Sequence, residues 1–342
     1  MIKKGKLFKR TCIGIDIGSY SVKVLEVVSE QEKYKLAKFA VKELPPGPSD
    51  EHLLNTIRAI ANESNFLTKD VHISLSGPNV TVRFINMPQM SPQDLKNSLK
   101  FEADKYIPFS IDEVIIDSCI LGEAQEKAQM RVLLAAAKKE IVNKRIDLFK
   151  HLGYNVKLID VDSFAVFNAF LTSEKTLDKE KSIALINLGH RYTNVIVSKG
   201  HIPYFTRDIQ IGGEQIDKAI SNKFNIEEVQ AAKLKSEPQD KADEVKEIVK
   251  VVLNNLMDEI RLSFGYYENQ YGRAIDQIYI SGGLVGTAGL VHYFEENLGI
   301  VPQIWDSFRN FDLGEGLDKE KFDKIKSSLA VACGLVVRKG VM

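Results

Sequence analysis

Cysteine is scarce in this 342-residue chain: Cys12, Cys119 and Cys333 are the only three, far apart and odd in number. They form neither a metal-ligand spacing nor a disulfide framework, which fits a reducing compartment. A surplus of either charge is missing too. Lys+Arg and Asp+Glu both number 46, so the formal net charge is zero. A general polyanion binder would carry a large basic excess, so nucleic acid is disfavoured as a partner. Long apolar runs are also absent. The longest uncharged stretch, Gln277–Phe294, holds Gly282, Gly283, Gly286 and Gly289, a turn-rich pattern unlike the ~20 apolar residues of a membrane span. At the N-terminus, Lys3, Lys4, Lys6, Lys9 and Arg10 are followed by Asp16 before any apolar core, so no secretory signal is expected. The C-terminal LVVRKGVM adds no amphipathic tail, so anchoring by a membrane-surface helix is not expected either.

What is present is the balance of a soluble globular protein, 44% hydrophobic and 27% charged, in a chain too long for one ordinary core. TCIGIDIGSYSVKVLEVVSE alternates apolar with small or polar residues and predicts two strands joined by a turn at Gly18–Ser21. A third strand, a helix over EHLLNTIRAIANESN capped by Ser49 or Asp50, and the strand DVHISLSG follow. Residues 80–155 then read strand, helix, strand, strand, helix. The first helix of that unit is marked by Ser91 as cap and Pro92 at its first position. The second half repeats the opening, with SIALINLGHRYTNVIVSKGHIPYFTRDIQIGG as two strands, a glycine turn and a third strand. A polar helical region precedes QIYISGGLVGTAGLVHYFEENLG, and a short amphipathic helix, SSLAVACGLVVR, closes the pattern. The expected organisation is α/β and duplicated, with a cleft between the copies. The first lobe comprises residues 11–79, 156–180 and 322–342, the inserted α+β subdomain 80–155, and the second lobe 181–321 with a helical part at 226–274.

Two hairpin turns facing each other across a cleft offer backbone N–H groups to a polyphosphate, and small residues let the backbone come close. The first turn would be Gly18, Ser19, Tyr20 and Ser21, with Lys23 either a phosphate partner or an ordinary strand lysine. The second would be Gly189, His190, Arg191, Tyr192 and Thr193, with Gly213 at the end of the following strand. Asp16 and Asn187 stand at the strand ends nearest the phosphates, where a hydrated Mg²⁺ needs oxygen ligands. Gly282 and Gly283 would let a nucleoside lie flat on the chain.

These motifs, in this order, resemble the actin-like ATPase superfamily over nearly the whole chain. They are GIDIGSYSVK, DVDSFAVFNAF, LINLGHRYTNVIV, ISGGLVGTAGL and LAVACGLVVR. Within it, GIDIGSYSVKVLEV, FEADKYIPFSIDEVIIDSCIL and IDVDSFAVFNAF are most similar to the PilM family of type IV pilus assembly, in the FtsA-like branch. The resemblance implies a ribonuclease H-like two-lobe fold with an inserted strand–helix–strand–strand (SHS2) subdomain. It further implies a cleft for ATP and Mg²⁺, and a cytoplasmic scaffold peripheral to the inner membrane, reached through partners. The implied partner is a PilN-like membrane protein, whose cytoplasmic N-terminal peptide would lie in a groove between the first lobe and the insertion. Self-association stays open.

The departures bear on activity. The superfamily's usual Asp of the second phosphate motif is Asn187 here, which supplies no charge to a metal. The catalytic position of the first connecting helix falls on Asp162, shorter than Glu by one methylene. In the nucleoside helix Ala232 replaces an acid while Lys235 remains. A nucleotide binder with at most weak ATPase activity is therefore expected. Two rivals remain, a filament-forming ATPase like FtsA or MreB, and a small-molecule kinase of the sugar-kinase branch. For the partner site, Arg83 and Phe84 on the first inserted strand are the candidates. The stripe of Val82, Phe84 and Ile85 fits either a groove wall or an internal core.

Overall fold

A computed structural model describes residues 9–31, 33–124, 128–287 and 289–338. Lys3, Lys4 and Lys6 of the basic N-terminus, and the last four residues of LVVRKGVM, lie outside the described residues. The chain opens with β1 (Arg10–Ile17), β2 (Ser21–Glu30), β3 (Lys33–Glu43), α1 (Asp50–Ser64) and β4 (Asp70–Leu75). Next come β5 (Val80–Pro88), α2 (Pro92–Glu102), β6 (Val114–Glu123) and β7 (Gln129–Lys138), then α3 (Lys139–His151), β8 (Asn155–Val161) and α4 (Asp162–Ser173). The second half holds β9 (Ser182–Leu188), β10 (Thr193–Lys199), β11 (Ile202–Ile209), α5 (Gly213–Phe224), α6 (Glu228–Ser236) and α7 (Ala242–Tyr271). It continues through β12 (Gln277–Ser281), α8 (Leu290–Leu298), β13 (Gln303–Ile304), β14 (Phe311–Leu313), α9 (Lys319–Ile325) and α10 (Ala330–Val337).

Duplication is visible in the sheets. The first runs β14-β3-β2-β1-β4-β8 and the second β11-β10-β9-β12-β13, so the third, second, first, fourth and fifth strands of each half lie side by side in one order. In both, an antiparallel meander is followed by parallel pairings, β4 and β8 beside β1, and β12 and β13 beside β9. Parallel neighbours need long crossovers. Local signals start the helices as expected: the Ser49 hydroxyl accepts from His52 N at 3.2 Å and the Ser91 hydroxyl from Asp94 N at 3.2 Å.

Three boundaries differ from the sequence reading. Helix α3 is the crossover between β4 and β8, and its Phe149 joins Ile13, Ile57 and Ile73 in the first-lobe core. The self-contained insertion is thus β5–α2–β6–β7, a three-stranded sheet of order β5-β7-β6 over a core of Ile85, Met87, Leu95, Leu99, Val132 and Leu134. Strand β14 already pairs with β3 of the first lobe, Phe311 against Tyr34, so the chain re-enters that lobe before residue 322. And α10 is buried on every side from Ala330 to Val337, not amphipathic, because helix, sheet and loop all close over it.

That last helix shares one core with both lobes. Leu25 and Leu36 from the first, Ile183, Leu185 and Ile196 from the second, and α4 and α10 between them form a single cluster. The two helices touch backbone to backbone, since a Cβ on Gly334 would stand 1.7 Å from the Ala165 carbonyl oxygen. Gly334→Ala is expected to destabilise the protein by about 3 kcal/mol or more, the upper end for overpacking. Urea unfolding would measure it, and a loss well under about 1 kcal/mol would mean that the helices part freely.

Candidate functional site

Between the lobes lies a cleft of about 1660 Å³. Three glycine turns reach it. In the first hairpin Gly18 N donates to Ser21 O at 3.1 Å, closing the β1–β2 turn. In the second, Gly189 N donates to Tyr192 O at 3.1 Å, and a Cβ on Gly189 would meet that oxygen at 2.5 Å. The hairpin carbonyls then cap α5: Gly213 N donates to Gly189 O at 3.2 Å and Glu214 N to His190 O at 2.7 Å. The third turn follows β12, where Gly282 has φ +102° and a Cβ would stand 2.3 Å from Leu188 O. Only glycine suits that position, in conformation and in space.

Of the residues expected in the site, Asp16, Gly18, Ser19, Tyr20, Ser21, Lys23, Asp162, Asn187, Gly189, Gly213, Lys235, Gly282 and Gly283 all line this cleft. Thr193 does not. It is fully buried beneath the second hairpin and its hydroxyl donates to Ile211 O at 2.8 Å, because its side chain lies on the inner face of β10. Asp16 and Lys23 are direct cross-strand partners in the hairpin register, and their side chains meet at 2.9 Å. The carboxylate expected at a metal and the ammonium expected at a phosphate thus neutralise each other.

A second network crosses between the lobes. His190 Nε2 donates to Asp217 at 3.2 Å, and Nδ1 shares a hydrogen bond with the Ser19 hydroxyl at 3.1 Å. The Tyr20 ring lies 5.1 Å from the imidazole, and Lys235 donates to the other Asp217 oxygen at 2.6 Å. His190, an ordinary turn residue by sequence, therefore joins the two glycine hairpins. Asp217 was not legible as its partner, since 27 residues separate them and only α5 brings them together.

Asn187 is held on both ends of its amide. Its Nδ2 donates to Asn194 Oδ1 at 2.9 Å, and its Oδ1 accepts from the Ser281 hydroxyl at 3.2 Å. Asn194 in turn donates to Asp208 at 2.7 Å, and Asp208 also accepts from Gly77 N at 3.2 Å. The Asp208 carboxylate fixes the direction of the whole chain, because it takes hydrogen bonds from both neighbours.

Asp162 begins α4 and lines the cleft. Burial and then the negative charge of Asp16 push its carboxyl up to about 6. The α3 helix adds Ile141, Lys144 and Arg145 to the same cleft, none of which the sequence pattern singled out, because α3 read as part of the insertion.

The partner candidates lie by a second, smaller cavity of about 300 Å³. It is bounded by Gly77 and Pro78, by β5 from Val80 to Arg83, by Val161 and Ser163, and by Tyr192 and Thr206–Asp208 of the second lobe. Strand β5 is an edge of its sheet. Arg83 is exposed there, and Phe84 is half-buried outside the cavity. The expected stripe divides by the two-residue strand period: Ile85 faces the inserted core, while Val82 and Phe84 point to the other face. The insertion also leans on β11, where the Arg131 guanidinium lies 3.5 Å over the Tyr204 ring and donates to Pro203 O at 3.0 Å.

Two lobes of one topology around a glycine-walled cleft, joined by a buried helix pair, define an actin-like fold. Solved structures agree. The chain superposes with a TM-score of 0.86 on a structure described as a PilM-PilN type IV pilus biogenesis complex, at 24% identity over 96% of this chain and 98% of that one. It is similar, at TM-score 0.55 and 12% identity, to the ethanolamine utilization protein EutJ from Carboxydothermus hydrogenoformans, over 97% of this chain and 90% of that one. MreB5 of Spiroplasma citri bound to ADP gives 0.50 and 11% identity over 96% and 95%. The family described as type IV pilus assembly protein PilM matches residues 14–340. The chain belongs to that family. Among the described residues no helix is long and apolar enough to cross a membrane.

Asp162 gives a prediction with a definite sign. Its folded value of about 6 lies above the ordinary 3.8, so the native state holds this proton longer and stability falls as pH rises between the two. Asp162→Asn keeps the size of the side chain and removes the charge. It is expected to raise stability at pH 8 by about 1–3 kcal/mol and to change little at pH 4. Urea midpoints at both pH values check this, and an equal gain at both would assign the effect to packing.

Proposed function

We propose that this chain binds ATP with Mg²⁺ in the cleft and serves as a cytoplasmic scaffold of type IV pilus assembly, or of a related type II secretion-like system. The observation that carries the reading is the convergence of Gly18, Gly189 and Gly282–Gly283, from three separate turns, on one cleft. A Cβ would press on backbone oxygens at Gly18, Gly189 and Gly282. Backbone N–H groups of the two hairpins would hold the phosphates, and Lys235 with Gly282 and Gly283 the nucleoside side.

The residues present fit a hydrated Mg²⁺ held mainly by phosphate. Among the described residues no three His, Cys, Asp or Glu side chains form a metal cluster. Asp16 is the carboxylate nearest the first turn, and Mg²⁺ keeps most of its waters. The ion would supply charge neutralisation to the phosphates. Phosphate arriving near Lys23 competes with Asp16 for that ammonium, which frees the carboxylate for the ion's water shell.

The same geometry favours slow turnover or none. Asn187 brings no charge and both ends of its amide are engaged. Asp162 is one methylene shorter than Glu, which limits its reach to an attacking water. A general base needs a free lone pair directed at a water.

The partner reading adds the cytoplasmic N-terminal peptide of a PilN-like inner-membrane protein at the β5 edge. Main-chain hydrogen bonds to an open strand are an ordinary way to bind an extended peptide. Such docking would make the chain peripheral to the inner membrane.

Two outcomes are expected. Asp16→Asn weakens Mg²⁺-dependent ATP binding about tenfold, or ~1.4 kcal/mol; equal affinities by titration calorimetry would remove Asp16 from the metal site. Arg83→Glu abolishes pull-down of the membrane-protein peptide while the thermal shift with ATP survives. Phe84→Ala, outside the cavity, has the smaller effect. Retained pull-down in both variants would move the partner site elsewhere.

A further inference from the structure

Cations line the cleft in several places, and most are already satisfied. Lys23 is paired with Asp16, Lys144 with Asp50, Arg191 with Glu214, Lys235 with Asp217 and Lys324 with Glu320. Lys246 is exposed. Arg145 differs from all of them. It lines the same cleft, its Nε is buried with no hydrogen-bond partner, and no carboxylate stands within ion-pair distance among the described residues.

The position follows from the helix. Strand β7 runs into α3 without a break at Lys138–Lys139. Val142 and Phe149 turn one face of α3 inward. Ile141, Lys144 and Arg145, at the i, i+3 and i+4 spacing, share the face toward the cleft. Lys144 is drawn to Asp50 at the start of α1, 2.8 Å away, and this leaves Arg145 beside it free. The acids that act on the Arg145 guanidinium through space are Asp50 and Asp162, and Asp162 in turn feels Asp16. Arg145 thus belongs to the Asp16–Asp162 end of the cleft, away from Lys235 and Gly282–Gly283.

We propose that Arg145 is a binding residue for the terminal phosphoryl group of a nucleoside triphosphate, so that the cleft distinguishes a triphosphate from a diphosphate. This rests on the nucleotide reading of the cleft. A half-buried guanidinium whose Nε has no hydrogen-bond partner is unfavourable by itself and becomes favourable when an anion arrives. Its planar fork offers two parallel N–H donors to a phosphate, which a lysine does not. An ADP molecule leaves the end of the cleft near Asp162 vacant and does not use the fork.

The test is titration calorimetry of the full chain with ATP and with ADP, both with Mg²⁺. Arg145→Ala is expected to weaken ATP about tenfold and ADP by less than about twofold, as for loss of one charge-assisted contact. Arg145→Lys keeps the charge and loses the fork, and is expected to fall between, at about threefold for ATP. An unchanged ATP-to-ADP ratio in Arg145→Ala overturns the assignment. So does an equal loss of both ligands in a variant with a native urea midpoint, which would make the residue structural. Should Arg145→Ala not fold, Arg145→Lys decides by the same ratio. Wild-type protein that binds neither nucleotide overturns the nucleotide reading and this inference with it, whereas wild-type binding with an unmoved ratio removes Arg145 alone.

Discussion

The contact between α4 and α10 is the constraint on which the rest of the molecule depends. At Gly334 and Ala165 the helices approach until there is no room for a methyl group. That closeness lets one core contain strands from both sheets, with Leu25 and Leu36 on one side and Ile183, Leu185 and Ile196 on the other. Both lobes are anchored to this pair, so the strand ends that carry Gly18, Gly189 and Gly282 are brought to face one opening. A packed helix pair also limits how the lobes can move, because close-packed cores shift between discrete arrangements and do not stretch.

Above that base the cleft is organised by ion pairs and hydrogen bonds that span it or its hairpins. Lys23 is held by Asp16, and His190 and Lys235 both converge on Asp217. The Ser19–His190 contact ties one glycine hairpin to the other across 171 residues. A ligand in the cleft therefore exchanges partners with groups already in place. The chain from Asn187 through Asn194 and Asp208 to Gly77 runs from the cleft to the smaller cavity at β5. Gly77 is also pressed on the Tyr192 ring, where a Cβ would come within 3.1–3.2 Å. The wall between the two cavities is thus one connected layer of polar and aromatic contacts.

Legibility in the sequence followed the range of the interactions. The turns at Gly18, Gly189 and Gly282–Gly283 were readable because a tight turn is written in the residues that make it. Ser91-Pro92 marked the start of α2 for the same reason. The Asp16–Lys23 pair was within reach of the pattern too, since a hairpin turn fixes which residues stand opposite each other. Helix α3 follows β7 directly, so its pattern reads as part of the insertion, and amphipathic spacing shows that a helix has a buried face without saying which core receives it. Thr193 lies close to the Gly189 turn in sequence, but its side chain is buried with the hydroxyl on Ile211 O.

The sequence by itself determined the repeated strand–turn–strand units, their glycines, the insertion between them and the loss of a charged residue at Asn187, all of them local features or features of order along the chain. Tertiary structure alone decided that His190 would meet Ser19 and Asp217, that α10 would be wholly buried, and that Arg145 would line the cleft with no ion-pair partner among the described residues. Each of those depends on surfaces from distant segments meeting, and burial of apolar area is non-directional, so no local pattern specifies which surfaces will meet.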